Sequence, residues 1–226
     1  MKKIWMWVCY GLFSAAITAL FLYILFPANS IRKIVELKLS YMKPDFSVSI
    51  GKLNPSLPLG LIFMDSTFKY SGTPVLFIKK LRMSTNLFTL FRSKTTYDFD
   101  ASAYEGEITG FIDILPGTGG KAVSVNAALA ELSLNKMISL LSISGNKVAG
   151  TLKGQLLYQI DVQKTGILTA TLSASDFKTE LDPPWMTLGS LQFKSVDTEL
   201  KYQSQTLMIR QCFFKGPQLD GRISGS

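Results

Sequence analysis

The sequence predicts a mostly β protein behind one N-terminal hydrophobic helix, and three observations carry that prediction. The chain opens with an uncharged run from Ile4 to Ile31. From Asp45 onward the hydrophobic period changes from that of a helix to the two-residue alternation of a strand. Clusters of glycine, proline, asparagine and serine separate the alternating stretches, as turns do. No stretch beyond the first helix is an unbroken apolar run, which argues against a parallel α/β sheet.

The opening run predicts a transmembrane helix. Its core, Trp5 to Phe26, matches the roughly 20 residues that cross a hydrocarbon layer at about 1.5 Å per residue. Trp5 and Trp7 at one end and Tyr23 at the other suit the two interfaces. Lys2 and Lys3 before the run, and Arg32 and Lys33 after it, suit lipid headgroups. A cleavable signal peptide needs an apolar region of only about 7–15 residues, so length favours an uncleaved anchor. Lys2 and Lys3 argue for a cytoplasmic N-terminus, while Arg32, Lys33 and Lys38 oppose it, and charge alone leaves the orientation open. The organisation that follows is an anchor with its short tip over residues 1–29 and a β-rich domain over residues 30–226.

Ser30 is placed to cap a short helix from Ile31 to about Met42, which Pro44 ends. That helix suits either a place on the membrane surface or a plug at one end of the domain. Phe46, Val48 and Ile50 then alternate with serines, and Asn54–Gly60 reads as a turn cluster. Leu61–Tyr70 and Val75–Met83 read as strands, and Asn86–Phe91 as one helical turn. Tyr97–Ala103 and Ile108–Ile114 read as a hairpin about Glu105-Gly106, with Val123–Leu129 as the next strand. A second short helix follows, with Leu134, Met137, Ile138 and Leu141 at helical spacing. Strands resume at Leu152–Ile160, Leu168–Leu172, Leu188–Ser195, Val196–Tyr202 and Gln205–Phe214, with Asp182-Pro183-Pro184 in a loop. The fold class is therefore an antiparallel β domain with two or three short helices. A closed barrel, a sandwich, or one long sheet curled over its apolar face all fit.

Of 226 residues, 47% are apolar, and the net charge is +8. Apart from Lys79-Lys80-Arg82, which reads as a solvated strand end, the cationic clusters flank the hydrophobic run. A membrane surface fits that placement and nucleic acid does not. Cys9 lies in the hydrophobic run and Cys212 near the end of the chain, so they form no disulfide framework and no thiol metal site. The chain has no histidine. That removes the commonest general base and metal ligand, and with them every histidine-based triad, dyad or metal centre.

No catalytic pattern replaces them. Pro116–Gly120 is glycine-rich but lacks the following helix N-terminus that a phosphate loop needs. Asp98 with Asp100, and Glu105 with Glu107, are carboxylate pairs at strand spacing, and they read as a solvated polar face. Asp220 and Arg222 flank Gly221 in a turn-like setting, and Trp185 reads as a loop anchor. The expectation is a protein that is not an enzyme and uses no cofactor and no metal. What stands out is the recurring apolar face. Phe99, Ile108, Ile112, Val125, Tyr158 and Leu172 are expected to point to one interior, either a closed core or a hydrophobic groove.

The order of these segments resembles a family. An N-terminal membrane helix and a short helix precede Phe46-Ser47-Val48-Ser49-Ile50-Gly51, then Leu81-Arg82-Met83-Ser84-Thr85-Asn86-Leu87, then Tyr104-Glu105-Gly106-Glu107-Ile108-Thr109-Gly110. Ser175-Asp176-Phe177, Pro183-Pro184 and the glycine-bearing stretch Gly216–Gly225 follow. This resembles the bacterial AsmA-like proteins and, within them, the type II secretion system protein N family. The resemblance implies an AsmA-like β domain in the periplasm, held by a single pass through the bacterial inner membrane. It implies protein transport: a component of the type II secretion machine that acts by binding other secretion-system proteins, without catalysis. The AsmA-like alternative is lipid handling, with a phospholipid or acyl chain on the apolar sheet face. Membrane lipid is a partner on either reading.

Overall fold

A computed structural model describes residues 2–42, 45–57, 59–86, 94–117, 120–140, 148–162, 165–180, 190–204, 206–217 and 219–225. Two helices open the chain, α1 (Lys2–Ile24) and α2 (Ala28–Met42). Pro27 separates them. Its carbonyl accepts hydrogen bonds from the N–H groups of Ser30 and Ile31 at 3.1 Å, so the residue that ends the first helix starts the second. α2 thus begins before the Ser30 cap that the sequence suggests.

Among the described residues, no helix is long and apolar enough to cross a membrane. The backbone of α1 runs unbroken for 23 residues.

Eleven strands follow in one sheet whose spatial order is the chain order. They are β1 (Phe46–Ser56), β2 (Gly60–Tyr70), β3 (Thr73–Thr85), β4 (Thr95–Ala103), β5 (Gly106–Gly117), β6 (Gly120–Ser133), β7 (Val148–Ile160), β8 (Gly166–Glu180), β9 (Ser190–Gln203), β10 (Thr206–Lys215) and β11 (Asp220–Gly225). Every neighbouring pair is antiparallel. A short helix, α3 (Leu134–Leu140), joins β6 to β7. β1 pairs only with β2 and β11 only with β10, so the sheet is open. Of the three architectures the sequence allows, this excludes the closed barrel and the two-sheet sandwich and leaves the long curled sheet.

The curl has local causes. Glu131 and Asp176 lie inside strands with φ of 53° and 51°. A left-handed residue in a strand makes a bulge, which bends the strand and steepens its twist. The register shifts at Glu131, between Leu129 and Leu132, and again on β10 between Ile209 and Gln211. α3 then packs against β3, β6 and β7. β3 and β7 are four strands apart, about 19 Å across a flat sheet. One short helix reaches both because the sheet bends around it.

Several boundaries depart from the sequence expectation. β1 runs through Asn54 and Pro55, and the turn shrinks to the residues after Ser56. Proline is tolerated there because β1 is an edge strand. The hairpin turn between β4 and β5 is made by Tyr104 and Glu105, with φ of 52° and 65°, and Gly106 opens β5 instead. The two strands expected over 188–202 are one, β9. Asp220, Gly221 and Arg222 lie in β11 rather than in a turn. Residues 87–91 of the expected helical turn, Leu141, the Asp182-Pro183-Pro184 loop and Trp185 lie outside the described residues.

Candidate functional site: an uncharged apolar trough

Two cross-strand rows can be followed through all eleven strands. The first is Pro55, Leu61, Met83, Phe99, Gly110, Ala127, Leu156, Ala170, Leu200, Ile209, Gly225. The second is Leu53, Phe63, Leu81, Ala101, Ile108, Leu129, Gly154, Leu172, Thr198, Cys212, Ile223. Neither row holds a charge. The row between them, on the opposite face, reads Asn54, Ile62, Arg82, Asp100, Thr109, Ala128, Gln155, Thr171, Glu199, Gln211. Two-residue alternation has sorted charge to one side of the sheet.

All six residues expected on the apolar face share it. Phe99 and Leu172 lie in these two rows, with Ile108. Ile112, Val125 and Tyr158 are consecutive partners in a third row, which runs Tyr97, Ile112, Val125, Tyr158, Leu168, Tyr202, Leu207. None of the six is fully buried. Exposure reaches 36% at Tyr158, 42% at Tyr202 and 54% at Leu207. The face is a trough rather than a closed core.

Burial elsewhere agrees. Among the described residues, five of the twelve buried apolar side chains are alanines: Ala101, Ala103, Ala127, Ala170 and Ala174. Of the larger ones, Leu129, Leu132 and Leu134 lie in or just before α3, which packs against β3, β6 and β7, and Val48, Ile50 and Leu53 lie on β1, against which α2 packs. The whole chain exposes 15895 Å². A compact monomer of 25.0 kDa exposes about 10,000 Å². Ten inter-strand spacings of about 4.8 Å make the trough about 48 Å long. That exceeds the roughly 15 Å of one leaflet's hydrocarbon.

Glycines shape its floor. A Cβ at Gly110 would collide with the Asn126 carbonyl oxygen and sit 2.8 Å from Cζ of Phe99. The Phe99 ring therefore lies across a cross-strand glycine. Phe214 covers Gly221 in the same way, and Phe177, Phe193 and Phe214 form a ring cluster with centroids 6.2 and 5.6 Å apart. The hydroxyls of Tyr97, Tyr158 and Tyr202 stand along the third row. None of them has a hydrogen-bond partner among the described residues, so they are free to meet water or the polar part of a ligand.

The residues expected to flank a membrane divide. Trp5 and Trp7 are 74% and 73% exposed and Tyr23 is 46% exposed, and Lys33 is exposed. The side chains of Lys2 and Lys3 lie outside the described set. Arg32 also binds the sheet, where its guanidinium donates to the Gly51 carbonyl at 2.9 Å. Beside it Glu36 accepts the Ile50 N–H at 2.8 Å, so α2 seals part of the β1 edge.

Among the described residues, the polar face carries one buried charge. Asp113 accepts from Lys94 Nζ at 2.8 Å and from Thr96 Oγ1 at 2.7 Å. Burial pushes its carboxyl pKa up, but the hydrogen bonds from Lys94 and Thr96 and the Lys94 charge outweigh burial and hold it below the usual carboxylate range. The cluster pins the start of β4 and faces away from the trough. Asp98, Asp100, Glu105 and Glu107 are exposed. Among the described residues, no group of three or more acidic or thiol side chains is placed to hold a metal ion.

These features define a class: an open, eleven-stranded antiparallel trough with a helical N-terminal extension. No family model, no curated protein and no solved structure matches the chain.

Proposed function

We propose that this protein is a membrane-tethered module that takes acyl chains of membrane lipids onto an open β trough, without catalysis. Residues 1–29 are its single-pass anchor in the bacterial inner membrane, and residues 30–226 its periplasmic domain. The observation that carries the proposal is the pair of charge-free rows through all eleven strands of an open sheet, where the larger side chains are only partly covered and the neighbouring Tyr158, Tyr202 and Leu207 are exposed. A monomer seldom exposes so continuous an apolar surface unless something occupies it. Hydrocarbon fits a surface with no charge to pair. α1, which has no charge from Ile4 to Ile24, leads through α2 to β1, so on this reading the β1 end of the trough faces the bilayer and β11 lies away from it. The test is mass spectrometry of organic extract from purified protein. Phospholipid or fatty acid in stoichiometric amount supports the proposal, and lipid-free, well-folded protein refutes it.

A second reading is a component of the type II secretion machine that binds its partner proteins by strand addition. The unequal edges favour it: α2 covers part of β1, while β11 is paired on one side only. Proline substitutions along β11 would then abolish co-purification of secretion components and leave bound lipid unchanged. Co-purification that survives them sinks this reading.

A further inference from the structure

α2 has two apolar stripes, and the sheet uses only one. Ile31, Val35 and Leu39 recur at i, i+4, i+8 and are partly covered, beside Arg32 and Glu36, which bond to β1. The second stripe, Ile34, Leu37 and Tyr41, is 57%, 57% and 84% exposed. At about 100° per residue these three fall within a sector about 60° wide, on the side of the helix away from the sheet. Lys33 and Lys38 lie about 70° to either side of the centre of that sector. Both are exposed, and neither has an ion-pair partner among the described residues.

We infer that α2 lies in the membrane–water interface with Ile34, Leu37 and Tyr41 immersed, and clamps the first strand of the sheet to the bilayer surface. The occupant of the stripe is an anionic lipid surface. An apolar stripe bordered by lysines is the pattern of an interfacial helix, whose cationic ends reach back to headgroups. Continuity supports the assignment. Only Leu25, Phe26 and Pro27 separate α1 from α2, so α2 begins at the surface if α1 lies in the bilayer. The inference rests on that reading of α1. Its opposite face holds Ile50 and Gly51 through Glu36 and Arg32, which makes the link between membrane and trough a rigid one.

The experiment uses the full chain with Cys9→Ser and Cys212→Ser, in vesicles of phosphatidylethanolamine and phosphatidylglycerol at high lipid-to-protein ratio. Nitroxide labels are placed singly at Ile34→Cys, Leu37→Cys and Tyr41→Cys. Leu12→Cys in α1 and Lys153→Cys on the polar sheet face serve as references. Collision with oxygen and with a water-soluble nickel chelate reports depth, and circular dichroism verifies each labelled protein. The three stripe labels should be about fivefold or more protected from nickel relative to Lys153→Cys, and open to oxygen. Nickel access equal to that at Lys153→Cys, with Leu12→Cys still in lipid, overturns the inference alone. Nickel access at Leu12→Cys overturns the anchor and the inference with it. Protection from both reagents, or spin–spin broadening, means a protein surface covers the stripe and also overturns it.

Discussion

Leu157 and Tyr158 offer a paired test of the trough, because the two neighbours are each 36% exposed but point to opposite faces. Consider Tyr158→Lys and Leu157→Lys. A fully covered tyrosine buries about 150–250 Å². With about two thirds of Tyr158 covered, the burial contributes about 3 kcal/mol at 25 cal/mol per Å². The lysine stem keeps about half of that contact while its ammonium reaches water, so the net cost is about 1.5 kcal/mol. Tm falls by about 3–6 °C. In a closed core the same change would strand a charge and cost several kcal/mol. Lipid binding responds differently. An ammonium in the third row displaces about two methylenes of a bound chain, about 1.6 kcal/mol, or about fifteenfold in affinity. Leu157→Lys, on the polar face, leaves lipid binding unchanged. The assay is displacement of a fluorescent fatty acid, with thermal unfolding alongside. Equal loss of binding in both variants, or in neither, refutes the assignment of the apolar face as the binding surface. Global unfolding of Tyr158→Lys refutes its openness.

Glu36→Ala removes the acceptor of the Ile50 N–H, and is expected to cost about 1–2 kcal/mol in thermal unfolding and to raise self-association in light scattering. Asp113 has a lowered folded pKa, so its contribution is present above its ordinary value of 3.8 and disappears as pH falls through the lowered one. The stability difference between the native chain and Asp113→Asn should therefore hold from neutral pH to about pH 4 and shrink below it, read by denaturant titration across pH. Gly110→Ala should lose about 3 kcal/mol, since its Cβ meets the Asn126 carbonyl, whereas Gly72→Ala, at φ 81° with open space around it, should lose about 1 kcal/mol.

Much of the sheet was legible because alternation is a direct consequence of the pleat. Phe99, Ile112, Val125 and Tyr158 could be set on one face from spacing alone. The bulges were not legible. Glu131 and Asp176 adopt left-handed φ with no glycine to signal it, and a bulge shifts the alternation on either side of it. β11 was hidden because Asp-Gly-Arg has turn composition, and only the neighbouring β10 makes it a strand. Whether the face was closed or open could not be read either. Leucine, isoleucine and alanine line a core and a trough alike, and only the pairing of β1 and β11 decides. α2 misled for a related reason. Ile31, Ile34 and Val35 stand at helical spacing, but the fold partly covers Ile31 and Val35 and leaves Ile34 exposed.

The most direct test of the trough is photocrosslinking of the full chain, in native membranes, with a phospholipid carrying a diazirine on its acyl chain, followed by peptide mass spectrometry. The account predicts adducts on apolar-face residues of β4 to β10, such as Phe99, Leu156 and Leu200, in addition to adducts on α1. Adducts confined to residues 2–42 would contradict it.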